Sequence, residues 1–398
     1  MPSQIQYYDL ALKTVYSPQA MFEYVVKPTK FLNELERTPD FTITQPGGAT
    51  LITIPVMLGL NQGYNTADEN SALPLVNRSV INQANYYSKQ HTAVFNFSFR
   101  AAKAGEGDGG WKSIPAMEMD SVIQGLRQSI NRQGFGDGTG KLATCTAATA
   151  VNTITVDSTK FIYAHATNGQ YIDLYDTAVP GYVAQGRMVT AKTATTITIS
   201  GAAVTVTATT IVVNQGSYNN EMNGLSNIVG SGTLGGIDPS VAGQSEWAGI
   251  LIDANNAAPS LTLFQGPFQQ IEDNGGKVDF IVASSGVHTA AANYLTSAKR
   301  IPVSSNPITL PGGFDGIDWN GVPLGRDKDA PTGTAYFIEK NALKIAEVIP
   351  GDWQDLDGKG SIILWDGTRG YKSVWIWDMQ LVAFARNRLA KMTGISES

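Results

Sequence analysis

Sulfur, histidine and charge are all scarce in this chain, and each scarcity closes off a class of function. Cys145 is the one cysteine in 398 residues, so no internal disulfide framework exists and a reducing cytoplasm is the expected setting. A single small thiol of this kind reads as an apolar core residue rather than a nucleophile. The three histidines, His91, His165 and His288, stand far apart with no second His or Cys at metal-ligand spacing, so no metal site is expected. Charged residues make up 16% of the chain, with 28 basic against 34 acidic, a net charge of −6 and no basic block. That argues against a tight grip on nucleic acid. So few charges also suit a protein that covers much of its surface with partners. No run approaches the roughly 18 apolar residues of a membrane span, and the opening MPSQIQYYDLALKTVY lacks the charged-then-apolar order of a secretory leader. A chain soluble when made is expected, and the sequons at Asn77 and Asn96 then carry no glycan.

Catalytic constellations are missing too. Gly243-Gln-Ser245-Glu-Trp247 begins like a nucleophile elbow but lacks the second glycine. Asp355-Leu-Asp357-Gly358 resembles part of a calcium loop, yet Trp353 and Leu364 stand at its first and last ligand positions. Asp315, Asp318, Asp327 and Asp329 fall in a Gly/Pro-rich stretch and read as turn formers. The glycine run Gly134-Phe-Gly136-Asp-Gly138-Thr-Gly140 follows a helix instead of preceding one, which is the wrong polarity for cradling phosphate. No enzyme, cofactor or metal is expected.

What is present begins with one long amphipathic helix. Met119, Val122, Ile123, Leu126 and Ile130 recur at helical spacing, while Asp120, Gln124, Arg127, Gln128 and Asn131 take the opposite side. The spacing predicts a helix from about Ile114 to Gln133, roughly 30 Å long at 1.5 Å per residue, with Ser113 as its cap and Gly134 as its stop. Before it, residues 1–45 carry two short helical candidates, Pro18–Val26 and Thr29–Glu36, too short to bury a face alone. Leu51–Leu58 and Thr92–Phe99 are strand-like and enclose a polar middle, which suggests a two-stranded excursion over 46–100. An isolated hairpin is marginal in water, so this arm is expected to move or to lie on another subunit. Gly105–Gly110 is a flexible joint into the helix.

After the helix the texture changes. Residues 141–217 are dense in Thr, Ala and Val, with strand runs at 152–158, 170–176, 187–193, 195–200 and 203–213. Short strands at regular spacing predict an inserted antiparallel β-barrel or sandwich. Residues 218–373 then mix α and β: helices at Leu261–Asn274 and Val287–Ala298, and strands at Val278–Ala283, Gly333–Glu339, Ala342–Val348 and Ser361–Trp365. Pro302–Pro331 is expected to be a loop region, and Val374–Ala385 a closing strand.

The order of these parts resembles the major capsid proteins of tailed bacteriophages, the Hong Kong ninety-seven fold. Three stretches carry the likeness: SINRQGFGDGTGKL, DWNGVPLGRDKDAPTGTAYFIEKNAL (Asp318–Leu343) and WDMQLVAFARNRLAKMTGI (Trp377–Ile395). The resemblance implies an α+β shell protein. Its parts are an N-terminal arm (1–45), an extended loop (46–100), a peripheral domain with the spine helix (101–140) and the inserted β domain (141–217). An axial domain (218–373) and a return to the periphery (374–398) complete it. It further implies assembly with itself into hexamers and pentamers around double-stranded DNA, in the host cytoplasm and then the virion. Portal, scaffold and decoration proteins are the implied partners. The residues it assigns to contacts between subunits are Tyr64, Leu73, Tyr86 and Lys89 on the loop, Phe22 and Phe31 on the arm, and Arg127 and Arg132 on the spine helix. In some such proteins a loop lysine cross-links subunits; Lys89 is the only lysine in the 46–100 loop, and that alone is no sign of the chemistry. The same fold also serves encapsulin-type compartments. From another class, a secreted β-rich surface-layer or adhesin protein competes, against which the missing leader counts.

Overall fold

The computed structural model describes residues 30–45, 50–61, 63–66, 68–69, 75, 78–98, 114–297, 317–355, 363–364 and 370–397. The expected helix at Pro18–Val26, the Gly105–Gly110 joint, the Ser113 cap, and the contact residues Phe22 and Leu73 lie outside these. In chain order the elements begin with α1 (Lys30–Asn33), β1 (Arg37–Thr38), β2 (Thr42–Thr44), β3 (Leu51–Gly59), β4 (Val80–Tyr87), β5 (Lys89–Ser98) and α2 (Ile114–Phe135). Next come β6 (Lys141–Thr144), β7 (Ala148–Val151), β8 (Thr153–Thr155), β9 (Tyr171–Asp176), β10 (Gly181–Lys192), β11 (Thr196–Ile199), β12 (Val204–Val206) and β13 (Thr210–Asn214). The chain continues through α3 (Leu225–Ile228), β14 (Ile250–Asp253), α4 (Leu261–Asp273), β15 (Phe280–Ala283), α5 (Ser285–Ser297), β16 (Ile317–Trp319) and β17 (Val322–Arg326). It ends with β18 (Ala335–Ile338), β19 (Leu343–Trp353), β20 (Ile363–Leu364), β21 (Gly370–Ala383) and β22 (Leu389–Thr393). The chain divides into two compact units, Met1–Phe135 with Leu225–Ser398, and Gly136–Gly224.

Among the described residues the first unit holds three sheets. In one, the 14-residue β21 is flanked by β5 on one side and by β19 and β20 on the other, with β1 added in parallel to β19. Helix α2 lies along β5. A second sheet runs β14-β22-β18-β15-β17-β16. Its core gathers Phe264, Phe268, Ile271, Phe337 and Trp319 beneath α4 and α5. Ser260 caps α4 by accepting from the Leu263 amide at 3.2 Å. The third sheet, β2-β3-β4, is a ribbon.

Four sequence expectations change here. The ribbon pairs β3 with β4, not with the Thr92–Phe99 run, which instead joins β21. β4 had read as polar because only Ala84 and Tyr86 face inward on it. Helix α2 passes through Gly134 and ends at Phe135; Gly134 is buried there, and a Cβ at that position would meet the Phe31 ring at 3.3 Å. The region taken as a loop contains the β16–β17 hairpin, whose Asn320-Gly321 turn has φ of 56° and 79°, the left-handed pair that such two-residue turns require. Finally, Leu389–Thr393 does not stay with β21 but forms a central strand of the second sheet, between β14 and β18.

The second unit is β-rich, as the Thr-rich strands suggest, and of the two expected forms, barrel or sandwich, it is the barrel. Its six-stranded path β6-β13-β9-β10-β11-β8 is closed end to end by an antiparallel bridge between Cys145 and Val156. Flanking bonds from Thr146 N to Thr155 O (2.8 Å) and from Asp157 N to Thr144 O (3.0 Å) extend that closure. Closure removes both free edges. Ile154, Ile172, Leu174, Val189, Ile197 and Val212 fill the interior with no exposed surface. The run 203–213 is two strands, broken by a turn at Thr207–Thr209, and β12 pairs with β7 as a small separate ribbon.

Candidate assembly surface

The β2-β3-β4 ribbon has two unlike faces. On the inner one, Ile52, Ile54, Val56, Leu58, Ala84 and Tyr86 are buried within the unit itself. They are met by the segment around Gly235, whose carbonyl accepts from the Asn85 amide at 2.8 Å, and by the turn at Ser245–Trp247. Trp247 is fully buried there and donates its indole N–H to the Leu234 carbonyl at 2.9 Å. Beneath it lies Arg386, also fully buried, whose guanidinium carbon is 5.7 Å from the Trp247 ring centre. That guanidinium donates to the carbonyls of Ile228 (2.7 Å), Gly230 (2.6 Å), Gly232 (2.9 Å) and Asn227 (3.4 Å). Burial brings its pKa down to about 10. The same burial raises the Tyr86 phenol, whose hydroxyl sits 3.4 Å from the Ala383 carbonyl.

The root of the ribbon is stitched to β21. Gln380 Nε2 donates to the Tyr87 carbonyl at 2.8 Å, and Ser88 Oγ donates to Asp378 at 3.2 Å. Burial raises the Asp378 pKa, with the Ser88 bond and nearby His91 opposing the shift. His91 is itself buried, with Nε2 3.0 Å from Gln133 Oε1 on α2. The ribbon therefore leaves a rigid base.

On the outer face the register sets Met57 opposite Ile81, and both are exposed, at 59% and 64%. Val80, Leu60, Tyr64 and Leu75 continue that exposure toward the distal end, Leu75 at 91%. Exposed apolar side chains in such number on one stretch are a common mark of a contact surface. Eight residues had been assigned to contacts between subunits, and the six that are described occupy different surroundings. Tyr64 is exposed at the distal ribbon, 77% open to solvent. Lys89 begins β5 opposite Met379 and is half-buried, which lowers its pKa. Arg127 and Arg132 are partly buried on α2. Phe31 and Tyr86 are interior: Phe31 has no exposed surface and packs 5.3 Å from Phe135 and 6.4 Å from Phe280, ring to ring. Met57 and Ile81 were not singled out from sequence, although their outward alternation was there to be read once β4 was recognised as a strand.

Helix α2 is the brace that the apolar stripe predicts, with Met119, Ile123 and Ile130 buried. Its last turns are also polar and buried. Asn131, placed on the outer side from sequence, is 6% exposed and donates Nδ2 to Asp327 at 2.9 Å and to Asp329 at 2.6 Å. These two carboxylates, read as solvated turn formers, are buried helix partners.

Long helix, two-faced ribbon and mixed sheets together have the fold of tailed-bacteriophage capsid proteins. The cyanophage A-1(L) capsid asymmetric unit matches over 94% of this chain and 93% of its own, at TM-score 0.55 and 12% identity. Fainter likenesses reach the SrpI encapsulin complex of Synechococcus elongatus PCC 7942 (TM-score 0.47, 12% identity, 94% and 89% covered) and the capsid of a native GTA particle (0.46, 9%, 92% and 91%). Neither a family model nor a curated protein sequence matches the chain.

Proposed function

We propose that this chain is the structural subunit of a tailed-phage shell, assembling with itself into hexamers and pentamers that enclose double-stranded DNA. The observation that carries the proposal is the two-faced ribbon, fixed at its root and inner face by its own unit yet exposing Met57, Ile81, Leu60, Tyr64 and Leu75 beyond it. A neighbouring copy would supply the burial that this end lacks, and many modest interfaces of this kind add up to a closed shell. The role is mechanical, with no catalytic step. The net charge of −6 suits a lining that does not grip packed DNA. Virion location, and work alongside portal, scaffold and decoration proteins, follow from the same role.

The test is the chain produced alone and studied by sedimentation velocity and negative-stain microscopy. Rings or shells are expected. Met57→Glu combined with Ile81→Glu should abolish them while leaving the melting temperature of the subunit unchanged, because both side chains are exposed in it. A wild-type chain that stays monomeric at every concentration overturns the proposal.

A further inference from the structure

The barrel unit carries a group of tyrosines outside its interior cluster. Tyr175 and Tyr218 stack with ring centres 3.7 Å apart and planes 22° from parallel. Tyr182 meets both edge-on, at 5.2 and 6.5 Å, and remains 43% exposed. Tyr171, two positions along the same face of β9 from Asp173 and four from Tyr175, is 52% exposed. The barrel interior is filled without any of them.

Two buried carboxylates on β9 hold the group in place. Asp173 accepts from the Gly186 amide at 2.7 Å and from the Gly216 amide at 2.8 Å. The second bond fixes the turn that lays Tyr218 over Tyr175; Gly216 there has φ of 71°. Asp176 accepts from the Ala178 and Val179 amides at 2.9 and 3.2 Å and from the hydroxyls of Thr207 and Thr209 at 2.7 and 2.8 Å. That anchors the turn leading into Tyr182. The rings are thus set before any partner arrives, which removes most of the ordering cost of binding.

The surroundings narrow the partner's chemistry. Only nine of the 89 residues from 136 to 224 are charged. Asp157, Asp173, Asp176, Arg187 and Lys192 are each committed to hydrogen bonds inside the unit. In sequence, Tyr218 is flanked by the amide side chains Gln215, Asn219 and Asn220 as well as by Glu221; on the strands nearby, Gln170 Nε2 bonds Asn214 Oδ1 at 2.6 Å, and Lys141 on β6 pairs with Val213. An acidic or basic ligand finds little charge to pair with here. A neutral ligand that offers C–H faces to aromatic rings and hydroxyls to amides is matched. We infer that the Tyr175–Tyr182–Tyr218 face of the barrel binds neutral polysaccharide.

The test uses the full chain and immobilised dextran, mannan and galactomannan, with hyaluronan as an anionic control, read by interferometry. Saturable binding to at least one neutral polymer is expected, weakened about tenfold or more by Tyr182→Ala and kept by Tyr182→Trp. Circular dichroism should show both variants folded, since Tyr182 is exposed and outside the barrel core. Absence of binding to every neutral polymer, equal binding by wild type and Tyr182→Ala, or preference for hyaluronan would each overturn the inference. Shell assembly is read separately by microscopy, so failure of one proposal leaves the other standing.

Discussion

Arg386 concentrates the energetics of the first unit in one residue. Its guanidinium serves four main-chain carbonyls at the end of α3 and the turn after it, residues 227–232, and underlies Trp247, so removing it strands several buried acceptors at once. Arg386→Met should cost about 3–5 kcal/mol in a urea titration. Arg386→Lys should recover little of that, because a compact ammonium cannot reach acceptors spread around a planar fork. In the second unit, Asp176 has its pKa depressed to about 2, first by the Thr207 and Thr209 hydroxyls. A carboxyl held below its ordinary value of 3.8 contributes stability that is present above that value and is lost as pH falls through about 2. Asp176→Asn should therefore destabilise the barrel at neutral pH. It should also flatten the acid limb between about pH 4 and pH 2, as measured by tyrosine fluorescence.

Helix α2 shows at the level of one element how position decides what a glycine does. Gly125 is exposed in the helix interior with open space where a Cβ would sit. Gly125→Ala should stabilise the unassembled chain by about 0.5–1 kcal/mol. Gly134 is nine residues on, yet the Phe31 ring lies 3.3 Å from its Cβ position. Gly134→Leu should cost about 1–3 kcal/mol through overpacking, and paired urea melts of the two variants would show opposite signs. The sequence revealed the helix because its stripe of Met119, Ile123 and Ile130 obeys helical spacing. It misplaced the end, because a glycine that admits a neighbouring ring and one that stops a helix look alike until Phe31 is placed. β4 stayed hidden for a related reason: with two inward apolar residues, Ala84 and Tyr86, its alternation is too weak to register, and the outward pair Met57 and Ile81 was lost with it. The Asn131 contacts to Asp327 and Asp329 join residues nearly 200 positions apart, beyond any local pattern. By contrast, the barrel's alternating Thr and Ile/Val strands announced themselves, since a closed sheet imposes a strict period of two.

At the scale of the whole molecule, the first unit is discontinuous in sequence but continuous at the break. The Phe135 carbonyl accepts from Ser226 Oγ at 2.7 Å, so the chain leaves and re-enters that unit within one hydrogen bond. Leu225 and Ile228 then bury completely in it. Bridging so short a gap costs little loop entropy. Excision of residues 136–224, with a linker of about four Gly and Ser residues, should thus leave the first unit folded. All seven tryptophans lie outside the excised stretch, which makes indole fluorescence a reporter of the first unit alone. Thermal melts followed that way should superimpose for the full and shortened chains to within a few degrees, while circular dichroism loses the barrel's β signal. A shortened chain that melts far lower would mean that the barrel supports the first unit and is not merely carried by it. If the melts do superimpose, microscopy of the shortened chain separates two roles for the barrel: shells that still form assign assembly to the ribbon, helix and sheets of the first unit, and leave the barrel as an added surface.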